Sequence, residues 1–334
     1  MTRILSYNIL AGGYSLRAGG ARRTEQITAM IQSTQPDIVG VVEAIHPRMT
    51  QNPLVIEEIA EKLDMQLVTA NSPRHRHDYQ TALLTRLPIV NTEIHTRPNI
   101  TKPLLEVCVE EANGQHLTVF VTHLAAAFYK GWAGNHIRKQ EVREILRIMV
   151  AKQGTAHLLM GDFNSIAPGD RLQASALLGY IVKLDQTRQA YVHDGDGNPY
   201  LDFVVPPRLR ILNPLLRQIP RSKVLSTLFD AAATFYAPHG SIRLLLEAGY
   251  QDCFRLMNPG AQAFTCPAAA PAGRIDYIFA SPELACRLSN CTVITGAEGV
   301  RGDEASDHLP VFAEFGMGVS SNKVYEDERP VEAL

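Results

Sequence analysis

Short apolar stretches, broken at close intervals by Gly, Pro and acidic residues, run through the whole chain, and two periodicities sort them. Alternation or a brief unbroken apolar run predicts a strand, whereas apolar positions three and four apart predict a helix. Residues 3–10 read as a strand ending at Tyr7-Asn8, followed by a loop marked by Gly12-Gly13 and Gly19-Gly20. Ile27, Met30 and Ile31 place a helix over 22–34, which Pro36-Asp37 stops. Ile38-Val39-Gly40-Val41-Val42 has the pattern of a strand covered on both faces, and it ends at Glu43. Asn52-Pro53 predicts a helix start, with Asn52 as cap and a buried stripe of Ile56, Ile59, Ala60 and Leu63.

Leu67-Val68 and the stretches 81–85, 89–96, 104–109 and 116–122 read as strands spaced closely enough to be neighbours, mainly antiparallel. The most regular of them, Leu117 to Val121, closes at Thr122-His123. Val142, Ile145, Leu146, Met149 and Val150 give a helix over 135–151, after which His157-Leu158-Leu159-Met160 runs into Gly161-Asp162-Phe163-Asn164. A short helix is expected near 172–178 and another over 241–248, stopped by Gly249. Between them, 182–239 reads as an irregular insertion. Strands follow at 274–279, from Val293-Ile294 onward, and at 311–315. One domain over 1–316 and a mobile acidic tail at 317–334 complete the expected organisation.

At 334 residues, 46% hydrophobic and 20% charged, the chain can bury a large core. A net charge of −2 argues against a protein that coats duplex DNA, but leaves room for an enzyme with a local basic cleft. No basic leader with an apolar core precedes the first strand, and no run of about 20 apolar residues occurs. The five cysteines form no close zinc pairs and leave one over, which suits reduced thiols and a cytoplasmic setting. Asp194-Gly195-Asp196-Gly197-Asn198 lacks the ligand grid and later glutamate of a calcium loop. From 183 to 223 seven basic residues face four acidic ones. This piece can pack against the domain, cover a polyanion as a lid, or touch a phospholipid surface.

The strand ends collect chemistry. Asp162 and Asn164 lie two apart, so an extended chain aims both to one side, although an Asx-turn gives the same pair. Together with Asn8, Glu43, His123, Asp276, Asp307 and His308 they offer hard oxygen ligands and two protonatable rings, a set suited to Mg2+ or Mn2+ chemistry on phosphate esters. Arg74, His75, Arg76 and Tyr79 form a donor-rich loop. With Lys130, Arg138, Arg208 and Arg210, they are the candidate substrate contacts, although a solvated face is the competing reading of the loop.

The ordered set Tyr7-Asn8, Glu43, Thr122-His123, Gly161-Asp162-Phe163-Asn164, Arg274-Ile275-Asp276-Tyr277-Ile278 and Ser306-Asp307-His308 resembles the endonuclease/exonuclease/phosphatase superfamily. That superfamily includes DNase I-like nucleases, apurinic-site repair endonucleases, bacterial sphingomyelinases and inositol-polyphosphate phosphatases. The resemblance implies a four-layer α/β sandwich of two mainly antiparallel sheets flanked by helices. It implies Glu43 as principal metal ligand with Asn8 and Asp307 nearby, Asp162 positioning or activating water, and Asn164 contacting phosphate. His308 matches the catalytic histidine, oriented by Asp276. His123 matches a second histidine that typical apurinic-site enzymes lack. The expected activity is divalent-metal-dependent phosphoester hydrolysis by in-line attack of water, as a phosphodiesterase or nuclease. The alternatives are a phospholipid-headgroup phosphodiesterase, a small-molecule phosphatase, and an inactive phosphate-binding interaction protein. Neither a protein partner nor an integral membrane segment is predicted.

Overall fold

A computed structural model of the chain describes residues 1–15, 20–47, 53–71, 79–126, 132–186 and 211–318. The alternating strands assemble into two six-stranded sheets. In the first, the order is Leu288–Val293, Val311–Phe315, Thr2–Asn8, Ile38–Ile45, Gln80–Thr85, Gln66–Thr69. In the second it is Gln251–Asp252, Asp276–Ala280, His157–Asp162, His116–His123, Leu104–Glu110, Ile89–His95. Every neighbouring pair is antiparallel except one at the centre of each sheet. Thr2–Asn8 runs parallel to Ile38–Ile45, and His157–Asp162 runs parallel to His116–His123.

Apolar residues on the facing sides of the sheets, among them Ile4, Val42, Val119, Val121, Leu158, Met160 and Ile278, form the core between them. The residues of opposite parity look outward. Leu5, Val39 and Val41 pack under helices Thr24–Gln32 and Val55–Leu63. Phe120, Leu159 and Phe279 pack under helices Trp132–Met149 and Gly240–Glu247. Helix, sheet, sheet, helix is the expected four-layer sandwich, because each central strand has two apolar faces to cover.

Several details differ from the sequence reading. Gln80–Thr85 joins the first sheet, between Ile38–Ile45 and Gln66–Thr69, so the chain changes sheet at the turn before Ile89. The strand expected to begin at Val293 ends there. The second helix starts at Val55, with Leu54 at its cap and not Asn52, which lies outside the described residues. Within 182–239, Lys223–Tyr236 is a regular helix capped by the Ser222 side chain. The acidic-glycine piece at 194–198 and all of the tail beyond 318 lie outside the described residues.

Candidate active site

The two parallel pairs decide where the polar strand ends meet. Both strands of a parallel pair finish at the same sheet edge, and an antiparallel neighbour starts there. In the second sheet Asp162 is in register with His123 on one side and Asp276 on the other. All three share the parity of the inward-facing Met160, Val121 and Ile278, so their side chains enter the gap between the sheets where the apolar core ends. Gly161 permits this approach. It sits at φ 139°, and a Cβ there would lie 1.9 Å from the Thr122 carbonyl oxygen.

The first sheet brings Asn8, which has the parity of Ile4 and faces the same gap. Its Nδ2 donates to Asp162 Oδ2 at 3.2 Å and lies 3.5 Å from His308 Nε2. The Asn8 carbonyl accepts from Ser306 Oγ at 2.7 Å, tying the loop that carries His308 to this strand. Alternation alone would send Glu43 outward with Val39 and Val41. Instead, Glu43 has φ 53° and the register breaks between Val41 and Ile45, and its Oε2 accepts from the Ala11 amide at 2.9 Å. Burial raises its carboxyl pKa, and the charges of Asp307 and His308 also act on it.

Around this centre, His308 Nδ1 is 2.8 Å from Asp276 Oδ2. His308 Nε2 lies 3.9 Å from Asp162 Oδ2 and 4.0 Å from Asp307 Oδ1. His123 Nε2 lies 3.6 Å from Asp162 Oδ2. Asn164, at φ 48°, donates its backbone N–H to Asp162 Oδ1 at 2.8 Å and its Nδ2 to the Leu124 carbonyl at 2.9 Å. The six side chains Asn8, His123, Asp162, Asn164, Asp276 and His308 are buried, whereas Glu43 and Asp307 are half-buried.

Burial opposes charge at both histidines, with opposite results. His123 is held well below the usual imidazole range by burial and by the cations Lys102 and His308. His308 is carried well above it because Asp276, Cys266 and Asp307 outweigh its burial. Burial and the neighbouring Asp276 push Asp162 up to about 7. A neutral imidazole, an imidazolium and a carboxyl poised near neutrality therefore share one site.

The same residues fit a hard divalent cation. Asp162 and Asp276 bring carboxylate oxygens within 4.8 Å of each other and of a His308 ring nitrogen, and that ring, held as an imidazolium, stands beside an ion without ligating it. The buried Asp276 Oδ1 has no hydrogen-bond partner among the described residues, and the crowding of carboxylates is what a cation relieves. A second group, Glu93, His95 and Glu106, can also gather round an ion. There His95 Nε2 is 2.7 Å from Glu106 Oε2, and Lys152 Nζ stands 2.6 Å from Glu106 Oε1.

Of the candidate substrate contacts, Arg138 is fully buried. Its Nε donates to Ser165 Oγ at 3.0 Å and its Nη1 to the Ala125 carbonyl at 3.1 Å, so it braces the loops after Asn164 and His123 from inside. Tyr79 packs edge-on against His46, with ring centroids 5.1 Å apart, close in sequence to Glu43. Arg74, His75, Arg76, Lys130, Arg208 and Arg210 lie outside the described residues. Sequence reading missed Lys102, whose charge reaches both Glu43 and His123, and Thr265, whose Oγ1 accepts from the Ile275 and Asp276 amides at 3.0 and 3.2 Å. Both sit in loops with no local pattern to single them out.

The model of the endonuclease/exonuclease/phosphatase family matches residues 5–308. No curated protein matches the sequence. Among solved structures, an AP endonuclease from Archaeoglobus fulgidus is similar at 15% identity and TM-score 0.58, covering 95% of this chain and 100% of that one. A variant of the 3' phosphatase NExo from Neisseria, bound to product DNA hairpin, aligns at 17% identity and TM-score 0.57 with the same coverage. An endonuclease/exonuclease/phosphatase from Beutenbergia cavernae aligns at 19% identity and TM-score 0.55, covering 94% of this chain and 72% of that one. At these identities the structural likeness speaks for the fold.

Proposed function

Because this chain belongs to the endonuclease/exonuclease/phosphatase family, whose activity is metal-assisted hydrolysis of phosphoesters, we propose that its substrate is a phosphodiester and that the residues around Asp162 divide the work. The observation that carries this reading is the row His123, Asp162, Asp276 in register across one sheet edge, with His308 clamped on Asp276.

When bound, Mg2+ or Mn2+ would supply positive charge to neutralise the phosphate oxygens and favour in-line attack. Glu43, with Asn8 and Asp307 beside it, would hold that ion. Asp162 accepts the proton of the attacking water, a task for which a carboxyl near neutrality is matched. Its orientation comes from the Asn8 Nδ2 and Asn164 N–H donors. His308, kept cationic by Asp276, turns Nε2 toward the site and donates to a phosphoryl oxygen as negative charge builds. His123 stays neutral and supplies a hydrogen bond, not a full charge; as the bond from water to phosphorus forms, the bond from phosphorus to the leaving oxygen breaks, and that alkoxide takes its proton from the His308 imidazolium.

The test is a turnover panel of single- and double-stranded DNA, RNA, phospholipid and soluble phosphate diesters and monoesters, with and without magnesium. Glu43→Gln removes most metal-dependent turnover, and His308→Ala and Asp162→Asn each lower it by about 10²–10⁴-fold. Near-normal rates in all three purified variants at saturating magnesium would refute the assignment. Retained phosphate binding with no turnover of any ester would instead mark an inactive scaffold.

A further inference from the structure

Helix Lys223–Tyr236 has its polarity reversed. None of its residues is buried, and of its exposed positions only Lys223 and Thr227 are not apolar or aromatic; Val224, Leu225, Leu228, Ala231, Ala232, Phe235 and Tyr236 make up the rest, spaced as one helical stripe. Val224 is 69% exposed, Leu228 63% and Phe235 80%, with Tyr236 beside them at 73%. The inward side packs Phe229 onto a small separate cluster of Leu178, Ile181 and Val182. Ile211 and Leu215, just before the helix, are also exposed. Apolar surface gathered this way on one element is not the scatter of single exposed side chains found on any globule.

Two features say what covers it. The first is charge. Arg221 and Lys223 are exposed at the head of the stripe, and the one acid between 211 and 240, Asp230, is turned inward onto the Ser175 backbone N–H at 2.6 Å and its hydroxyl at 2.8 Å. An apolar face with a basic border complements an anionic bilayer surface. The second is a pair of exposed aromatics at helix ends, Tyr236 on this helix and Trp132 on the one that packs against the next. Gly240, four residues after Tyr236, lies against Lys139 and Asn135 of the helix whose first residue is Trp132, 83% exposed. Trp and Tyr favour the boundary between lipid and water.

The segment that follows the helix reaches the loop after Asn164. His239 Nδ1 lies 3.0 Å from the Ile166 carbonyl, and Ser241 Oγ donates at 2.7 Å to Ser165 Oγ, which Arg138 also holds; Ser165 follows Asn164. We infer that the helix Lys223–Tyr236, with Trp132, docks this enzyme on a phospholipid surface and presents the Asp162 site to a headgroup phosphodiester. The choice of headgroup ester rests on the phosphodiesterase reading above; the docking does not.

The full chain is tested with vesicles of phosphatidylcholine alone and mixed with phosphatidylserine. Trp132 is the chain's single tryptophan, so its emission reports docking directly. The expected result is a blue shift and protection from aqueous quencher on adding vesicles, stronger with phosphatidylserine. The double substitution Leu228→Ser with Phe235→Ser weakens binding by about tenfold or more, yet leaves turnover of a soluble diester, bis(p-nitrophenyl) phosphate, unchanged. An unshifted wild-type Trp132, or equal vesicle binding by the double variant, overturns the proposal. So does burial of Trp132 in a lipid-free dimer, or a shift caused by an oligonucleotide and not by lipid. Docking without hydrolysis of any diester sinks the phosphodiesterase reading alone, and diester hydrolysis without docking sinks the docking alone.

Discussion

His308 Nδ1 and Asp276 Oδ2 stand 2.8 Å apart in a buried setting, and that bond both orients the ring and keeps it charged. Burial alone would lower the imidazole pKa, and Asp276 is the largest influence acting the other way. A raised folded pKa means that the pair's contribution to stability is fully present below the unfolded value of about 6.5 and is lost as pH climbs through the folded one. Asp276→Asn removes that window. Denaturant melts in chelator at about pH 6 and about pH 9 should show a pH-dependent loss in the wild type that the variant lacks. Turnover of the variant should fall by about 10²–10⁴-fold with KM nearly unchanged.

Asp162 obeys the opposite sign. Its carboxyl is pushed up to about 7, first by burial and then by Asp276, so the folded protein keeps a proton that the unfolded chain releases. Stability therefore falls as pH rises from about 3.9 to about 7. Asp162→Asn removes this slope. In metal-free protein the variant should be more stable than wild type at about pH 8 and show no gain at about pH 4, while its activity is lost. Equal melting curves at both pH values would show that the carboxyl bears no such strain.

Gly161 makes the register of His123 and Asp162 possible. At φ 139°, with the Thr122 carbonyl oxygen 1.9 Å from where a Cβ would fall, Gly161→Ala forces the two parallel strands apart. The expected loss is about 3 kcal/mol, measured by urea melts, with turnover falling further than stability because His123 and Asp162 shift together.

How far the chain's letters alone disclose this site follows from what each residue depends on. Asn8, His123, Asp162 and Asp276 each end or begin a strand whose alternation is plain, so their edge and their face are readable. Glu43 is marked by its position, yet its direction depends on a bulge that no residue type in Val41-Val42-Glu43-Ala44 announces. Helix Lys223–Tyr236 reads as irregular because Pro214 and Pro220 precede it and its apolar stripe predicts burial that does not occur. The Ser222 cap and the proline-free run to Pro238 are the signal that points to it. The Glu93, His95 and Glu106 group is invisible in sequence, since it needs the cross-strand register of Glu93 with Glu106.

Arg274 is almost wholly buried. Its Nη1 and Nη2 donate to the two Asp252 oxygens at 2.8 and 2.6 Å, its Nε donates to Asp170 Oδ2 at 2.8 Å, and its guanidinium carbon lies 4.4 Å from the Tyr277 ring centre. Tyr277 in turn donates its hydroxyl to the Arg274 carbonyl at 2.6 Å and accepts from the Ala167 amide at 2.8 Å, so this network fixes the start of the strand bearing Asp276. Arg274→Met leaves two buried carboxylates, Asp170 and Asp252, without that partner; Arg255 still reaches Asp170. The expected loss is about 3–5 kcal/mol. Arg274→Lys keeps the charge but not the two-pronged geometry, so it should recover only part of the stability in the same melts. If the methionine variant instead melts with the wild type, the network carries no net stabilisation and the placement of Asp276 must rest on Thr265.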